Sequence, residues 1–89
     1  MDSPQRLLLR ALLEGLGDAV RRNDDLAGDR YYRRIGLIAQ QHFYTNPSLS
    51  NTLEQLLSAS GRWLATRVAE RYEPENQVAE QIELVLELL

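Results

Sequence analysis

The 89-residue sequence contains no cysteine and no lysine. The absence of cysteine excludes disulfide bonds, thiolate metal sites and a cysteine nucleophile, and it is typical of proteins from a reducing compartment. The absence of lysine excludes Schiff-base chemistry and the phosphate-binding loop motif, which requires a lysine after its last glycine. All ten basic side chains are therefore arginines.

Long apolar runs are also missing. The leucine-rich stretch near the N-terminus, Leu7 to Leu13, is interrupted by Arg10. It therefore resembles neither the apolar part of a secretory signal nor a bilayer span of about 20 residues. We expect a cytoplasmic protein that does not contact the membrane.

The composition is that of a small folded domain. The chain has 44% hydrophobic and 26% charged residues, and we expect one domain over residues 1–89. Seventeen leucines provide most of the apolar material. A chain of this length buries little more than about 60% of the surface that its unfolded form exposes, so each strongly apolar face must be used.

Apolar residues recur with a helical period in four segments, and no segment of useful length alternates like a strand. The sequence therefore predicts an all-α fold, a small four-helix bundle of two antiparallel helical hairpins. Pro4 suits the first position of the first helix, because a missing N–H costs nothing there. The predicted helices run from Pro4 to about Arg22, from the turn at residues 23–25 to about Phe43, from a cap at Asn46 or Ser50 to about Tyr72, and from Glu73 to Leu89.

Several side chains have predicted places in the packing. Gly28 and Gly36 lie inside the second helix, where each glycine costs about 1 kcal/mol relative to alanine, so we expect another helix to approach closely there. Val68 belongs to the apolar stripe of the third helix. Trp63 and Arg67 are four residues apart, a spacing that allows a cation to lie over an indole ring.

His42 is the only histidine, and a helical wheel places it on the apolar side of the second helix. We expect a buried or half-buried side chain that hydrogen-bonds a carbonyl, because no Glu-x-x-His or His-Glu-x-x-His metal-binding pair is present. An enzyme, the third hypothesis, would require a pocket around His42, Tyr31 and Trp63. We therefore predict no catalytic residues, no metal ligands, no cofactor and no enzymatic activity.

Charge is unevenly distributed along the chain. Residues 1–29 carry a net charge of −2, residues 30–72 a net charge of +4 and residues 73–89 a net charge of −5, against −3 for the whole sequence. We expect the acidic last helix to lie alongside the basic second and third helices, within the chain or across a dimer.

Four leucines lie outside the inward faces of the predicted helices, namely Leu7, Leu37, Leu84 and Leu88. Burial of each in a partner or in a second copy would contribute up to about 1.5–3 kcal/mol. We predict that Leu84 and Leu88 mediate self-association, with a homodimer as the expected assembly.

The polar arc of the second helix combines basic, amide and apolar side chains. As a solvated face its arginines need no further explanation, but Leu26, Leu37 and Tyr44 in the same arc favour an interface, whose centre is typically enriched in arginine and tyrosine. The sequence thus predicts a non-enzymatic protein–protein interaction module, such as an adaptor, small chaperone or regulator. The predicted partner-binding residues are Arg30, Arg33, Arg34, Leu37, Gln41 and Tyr44.

The alternative is a DNA-binding transcriptional regulator with a helix-turn-helix-like unit in residues 35–71, in which Ile38 and Ala39 occupy packing positions. The turn would be long and contain Pro47, and the recognition helix would begin with residues 51–55, which include an acid and no arginine. A pI of about 5.0 also provides less positive potential than phosphate contacts need. Nucleic acid is therefore the less expected partner.

Overall fold

The chain forms four α-helices joined by short connections in a computed structural model, which describes residues 3–89. Within those residues there is no strand, so the predicted all-α fold is confirmed. The helices are α1 (Pro4–Arg21), α2 (Asp25–His42), α3 (Pro47–Ala65) and α4 (Tyr72–Leu88), with a short 3-10 helix at Val68–Glu70 between α3 and α4.

Side-chain caps fix where the first three helices begin. The side-chain oxygens of Ser3, Asp24 and Asn46 each accept a hydrogen bond from the backbone N–H three residues later, at 3.1–3.2 Å. Of the two caps that the sequence offers for α3, Asn46 is the one used. Asn23 closes the turn between α1 and α2 with a φ of 53°, a left-handed conformation that asparagine tolerates better than most residues.

The four helices form a ring in which each packs against two neighbours. α1 and α2 form one antiparallel hairpin, α3 and α4 form the other, and the hairpins join through the α2–α3 and α1–α4 contacts. The predicted bundle of two hairpins is confirmed. α2 and α4 lie at opposite corners of a molecule of 41 × 20 × 19 Å. The acidic α4 therefore lies beside α3, as predicted, and also beside α1; within one chain its predicted proximity to α2 is not found.

A leucine-rich core runs along the centre of the ring. Trp63 is its largest fully buried side chain. Each such apolar side chain contributes about 1.5–3 kcal/mol when it leaves water. The buried members of the core are Leu9, Leu12, Leu13, Leu16, Val20, Ile35, Ile38, Phe43, Leu49, Leu53, Leu56, Trp63, Val78, Ile82 and Val85.

α3 ends at Ala65, well before the predicted end at Tyr72. Thr66 adopts an extended conformation, with φ −95° and ψ 142°, and the 3-10 helix follows. Val68 is consequently 59% exposed, and its predicted place in the apolar stripe of α3 is wrong. Neither glycine nor proline marks this break, so the helical pattern in the sequence continues across it.

Arg71 fills the space where α3, the 3-10 helix and α4 meet. Its guanidinium carbon lies 4.3 Å from the centroid of the Trp63 ring, so Arg71 replaces Arg67 as the cation over the indole. Its two terminal nitrogens donate to the two carboxylate oxygens of Asp25 at 2.6 and 3.0 Å, and Nε donates to the Thr66 carbonyl at 2.9 Å. These contacts connect the start of α2 to the end of α3 and the start of α4.

His42 is exposed, so its predicted burial is wrong. It is the last residue of α2, and the following Phe43 turns into the core with only 6% of its surface exposed. Leu8, at the same end of the bundle, is 47% exposed. The apolar side of α2 therefore extends past the core at this end, and Phe43 closes the core in place of His42.

The two glycines of α2 differ in their surroundings. A Cβ at Gly28 would lie 2.7 Å from Cζ3 of Trp63, so the predicted close approach of another helix is confirmed there. A Cβ at Gly36 would lie 3.9 Å from the nearest atoms of Leu57, an ordinary van der Waals distance. Only Gly28 is therefore required by the packing of α2 against α3.

Candidate protein-binding surface

The six predicted partner-binding residues are all exposed on one side of the bundle. Five belong to α2, and Tyr44 lies in the loop that follows it. At about 100° per residue, the α2 positions fall within an arc of about 100° centred near Leu37, and they extend for about 16 Å along the helix. We call this set the α2 surface, and it consists of Arg30, Arg33, Arg34, Leu37, Gln41 and Tyr44.

The apolar members of the α2 surface are not packed against the bundle. Leu37 is 55% exposed and Tyr44 is 69% exposed. Isolated exposed leucines are normal on protein surfaces. A leucine and a tyrosine that flank a cluster of arginines are a more specific combination, because interfaces surround apolar anchors with charged and polar groups.

The arginines give the α2 surface a positive charge that is only partly neutralised. Arg33 Nε donates to Asp29 Oδ2 at 2.9 Å, one turn earlier on the helix. Arg30 and Arg34 form no ion pair with any residue in the described part of the chain. Two guanidinium groups are therefore available to bind carboxylates, with the planar fork of donors that suits bidentate contacts.

Shallow hollows flank the α2 surface on both sides. One, of about 410 Å³, is lined by the arginines together with Ala27 and Tyr31. The other, of about 530 Å³, lies between α2 and α3 and is lined by Gly36, Leu57 and Glu54 among others. This second hollow is not predicted from the sequence. Gly36 is the available signal for it, because a helix position without a side chain leaves a depression between neighbouring helices.

The predicted self-association residues lie elsewhere on the molecule. Leu84 is 42% exposed and Leu88 is 41% exposed, both on α4. Because α2 and α4 occupy opposite corners of the ring, the structure does not bring these leucines near the α2 surface. They continue the flank of α4 that carries Gln77 and Gln81, which line a groove of about 660 Å³ between α3 and α4.

That groove between α3 and α4 is polar along most of its length. Arg62 donates to the Gln77 side-chain oxygen at 2.9 Å, which bridges the two helices at one end. The α3 wall contributes amides and a hydroxyl spaced by four and three residues, at Asn51, Gln55 and Ser58. Groups of this kind hydrogen-bond water as readily as a partner, so the groove is less selective than the α2 surface.

The residues of the enzyme hypothesis do not share a solvent-open pocket. His42 is exposed at the end of α2, whereas Trp63 is fully buried beneath Arg71. Tyr31 is half-buried and packs against Gly15 of α1. Among residues 3–89, no group of three or more histidine, aspartate or glutamate side chains is arranged to hold a metal ion.

Of the helices in the part of the chain that is described, none combines the length and the apolar character that a membrane crossing requires.

Comparison with known proteins finds no matching family model, no matching curated protein and no matching solved structure. The chemistry of the exposed surfaces is therefore the basis on which one function is favoured over another.

Proposed function

We propose that this protein is a non-enzymatic protein–protein interaction module, such as an adaptor, a small chaperone or a regulator, and that it binds a partner protein through the α2 surface. The observation that carries this proposal is the arrangement of Arg30 and Arg34, which form no ion pair with the described residues, around exposed apolar side chains on one face that no other described helix covers.

The α2 surface is well suited to a partner that presents carboxylates around an apolar contact. Burial of Leu37 would contribute up to about 1.5–3 kcal/mol, and Tyr44 adds an apolar ring with a polar hydroxyl. Arg30 and Arg34 would select an acidic partner and would accelerate its association by electrostatic attraction. The core of the bundle contains none of these side chains, so the fold does not depend on them.

The proposal includes self-association, with Leu84 and Leu88 in the contact and a homodimer as the simplest assembly. Both leucines retain about two fifths of their surface exposed in the single chain, at 42% and 41%. A second copy that covers them would remove this apolar surface from water.

Affinity capture from native cell lysate tests the partner-binding proposal. The baits are the unmodified protein, the variant Arg33→Glu/Leu37→Asp, and a matched control, Arg22→Glu/Val68→Asp. The control likewise replaces an arginine with glutamate and an exposed apolar side chain with aspartate, at positions outside the α2 surface. Because all four positions are exposed, we expect each substitution to change the free energy of unfolding by no more than about 0.5 kcal/mol.

We expect the unmodified protein and the control to capture the same partner, and the α2 variant to lose at least about tenfold in recovery. If the α2 variant captures every protein that the unmodified chain captures, the α2 surface is not the binding site. Circular dichroism and thermal unfolding of all three baits establish that each is folded.

A further inference from the structure

A second outward-facing surface on the bundle has the opposite charge to the α2 surface. It lies on α4 and, at about 100° per residue, also occupies an arc of about 100°. All of its side chains are exposed. We call it the α4 surface, and it consists of Glu73, Glu80, Leu84, Glu87 and Leu88.

Most charges of the two surfaces have no ion-pair partner among the described residues of their own chain; the exception is Arg33, which pairs with Asp29. None of the α4 glutamates forms an ion pair with any of the residues that the structure describes, and the same is true of Arg30 and Arg34 on α2. The two surfaces point away from each other, because α2 and α4 are at opposite corners of the ring. Their complementarity can therefore be satisfied only between molecules.

We infer that the α2 surface of one copy binds the α4 surface of a second copy. The inference rests on the proposed function in that it uses the same α2 surface. Each surface has an exposed leucine near its middle, Leu37 on α2 and Leu84 on α4, with arginines beside the first and glutamates beside the second. Packing the two helices together brings the leucines into contact and places guanidinium groups next to carboxylates.

Contacts between like surfaces are less favourable. An α4 surface on an α4 surface would bury the same leucines but would oppose Glu80 and Glu87 to their own equivalents. An α2 surface on an α2 surface would oppose Arg30 and Arg34 in the same way. Like charges brought together across an interface are repulsive, which favours the pairing of unlike surfaces.

The positions of the two surfaces determine the kind of assembly. The contact uses α2 of one copy and α4 of the other, so each pair retains one free surface of each kind. Because these surfaces lie on opposite sides of the molecule, the homodimer is the first member of an open head-to-tail series, to which further copies add, and it is not closed by a two-fold axis. Exposed ion pairs contribute only about 0–1 kcal/mol each and are screened by salt, so the assembly is weak and depends on concentration and salt.

Sedimentation velocity of the purified full chain measures this assembly without any other protein. At about 20 mM salt, we expect the average mass to rise continuously from about 10 µM to about 1 mM protein, and at about 500 mM salt we expect the rise to disappear. The double variants Arg30→Glu/Arg34→Glu and Glu80→Arg/Glu87→Arg should each raise the apparent dissociation constant by at least about tenfold.

Charge exchange provides the decisive control. An equimolar mixture of the two double variants, and a chain that carries all four substitutions, should both assemble again, which unfolded or damaged proteins would not do. Arg22→Glu/Arg67→Glu changes the net charge by the same amount as the α2 variant but at exposed positions outside both surfaces, and it should assemble like the unmodified chain.

Two results would overturn the inference. One is a monomer at every protein and salt concentration; the other is a mass that saturates at a dimer and is unaffected by Arg30→Glu/Arg34→Glu. Neither result bears on whether a different protein is captured from lysate. Failure of self-assembly can therefore be distinguished from failure of the proposed function.

Discussion

Arg71 shows how one side chain can determine the path of the chain between two helices. Arg71 is almost completely buried. Its charge is balanced by the carboxylate of Asp25, which lies beside it at the protein surface. The hydrogen bonds from Arg71 lower the pKa of the Asp25 carboxyl below its usual range, against the opposing effect of burial. The same hydrogen bonds, which the Asp25 carboxylate accepts, raise the pKa of Arg71 above its usual value, so the pair stays ionised near neutral pH.

The stability contributed by this pair should depend on pH in a defined direction. Since the pKa of Asp25 is lower in the folded state, the contribution is complete above the unfolded value of about 3.9 and is lost as the pH falls through the folded value. We expect Asp25→Asn to be less stable than the unmodified protein at about pH 7, and the difference to shrink below about pH 4. Urea unfolding across this pH range provides the measurement.

Arg71→Gln is the matching variant, because it removes the donor and leaves Asp25 in place. In this variant the Asp25 carboxyl, followed by carbon NMR, should titrate at a higher pH than in the unmodified protein. A stability difference between Asp25→Asn and the unmodified chain that is constant from neutral to acid pH would contradict this account of the pair.

At the scale of helices, the contact between α2 and α3 depends on the absence of a side chain at Gly28. The Trp63 ring is fully buried and is held between this glycine and Arg71, so it has little room to move. Gly36, two turns further along the same helix, faces Leu57 at an ordinary distance. The two positions form a natural matched pair.

We predict opposite effects of alanine at these two glycines. Gly36→Ala should stabilise the protein by about 1 kcal/mol, because alanine is the better helix former and its methyl group fits. Gly28→Ala gains the same helix propensity but forces Trp63 to shift, at a cost of about 1–3 kcal/mol, so its net effect should be destabilising. Chemical denaturation of both variants measures the difference, and equal stabilisation by the two would show that Trp63 is not tightly held.

Local sequence signals account for most helix boundaries but not for all of them. Ser3 and Asn46 are caps that act within a few residues, so the beginnings of α1 and α3 are predictable from the sequence. At the end of α3, Arg71 donates a hydrogen bond to the Thr66 carbonyl and pairs with Asp25, which is distant in the sequence. The exposure of His42 could not be predicted for a second reason. A helical wheel shows which side of a helix is apolar, but it does not show where the neighbouring helices end.

For the molecule as a whole, the sequence predicts which side chains remain exposed better than it predicts which exposed side chains lie close together in the folded chain. The residues of the α2 surface and Leu84 and Leu88 are exposed as their helical positions indicate. Their separation follows from the order of the helices around the ring, a property of the tertiary fold that no local pattern specifies. The same order separates the basic α2 from the acidic α4, which suits each surface to contacts outside its own chain.

The most direct measurement is photo-cross-linking in the native cell, with a photoreactive amino acid in place of Leu37 and, as the control, in place of Glu14 on α1. Both positions are exposed, so neither substitution should disturb the core. We predict discrete adducts at position 37 that are absent at position 14, with a mass that identifies either a second copy of this chain or a different protein. No discrete adduct at position 37, or the same adducts from both positions, would contradict the claim that the α2 surface binds protein.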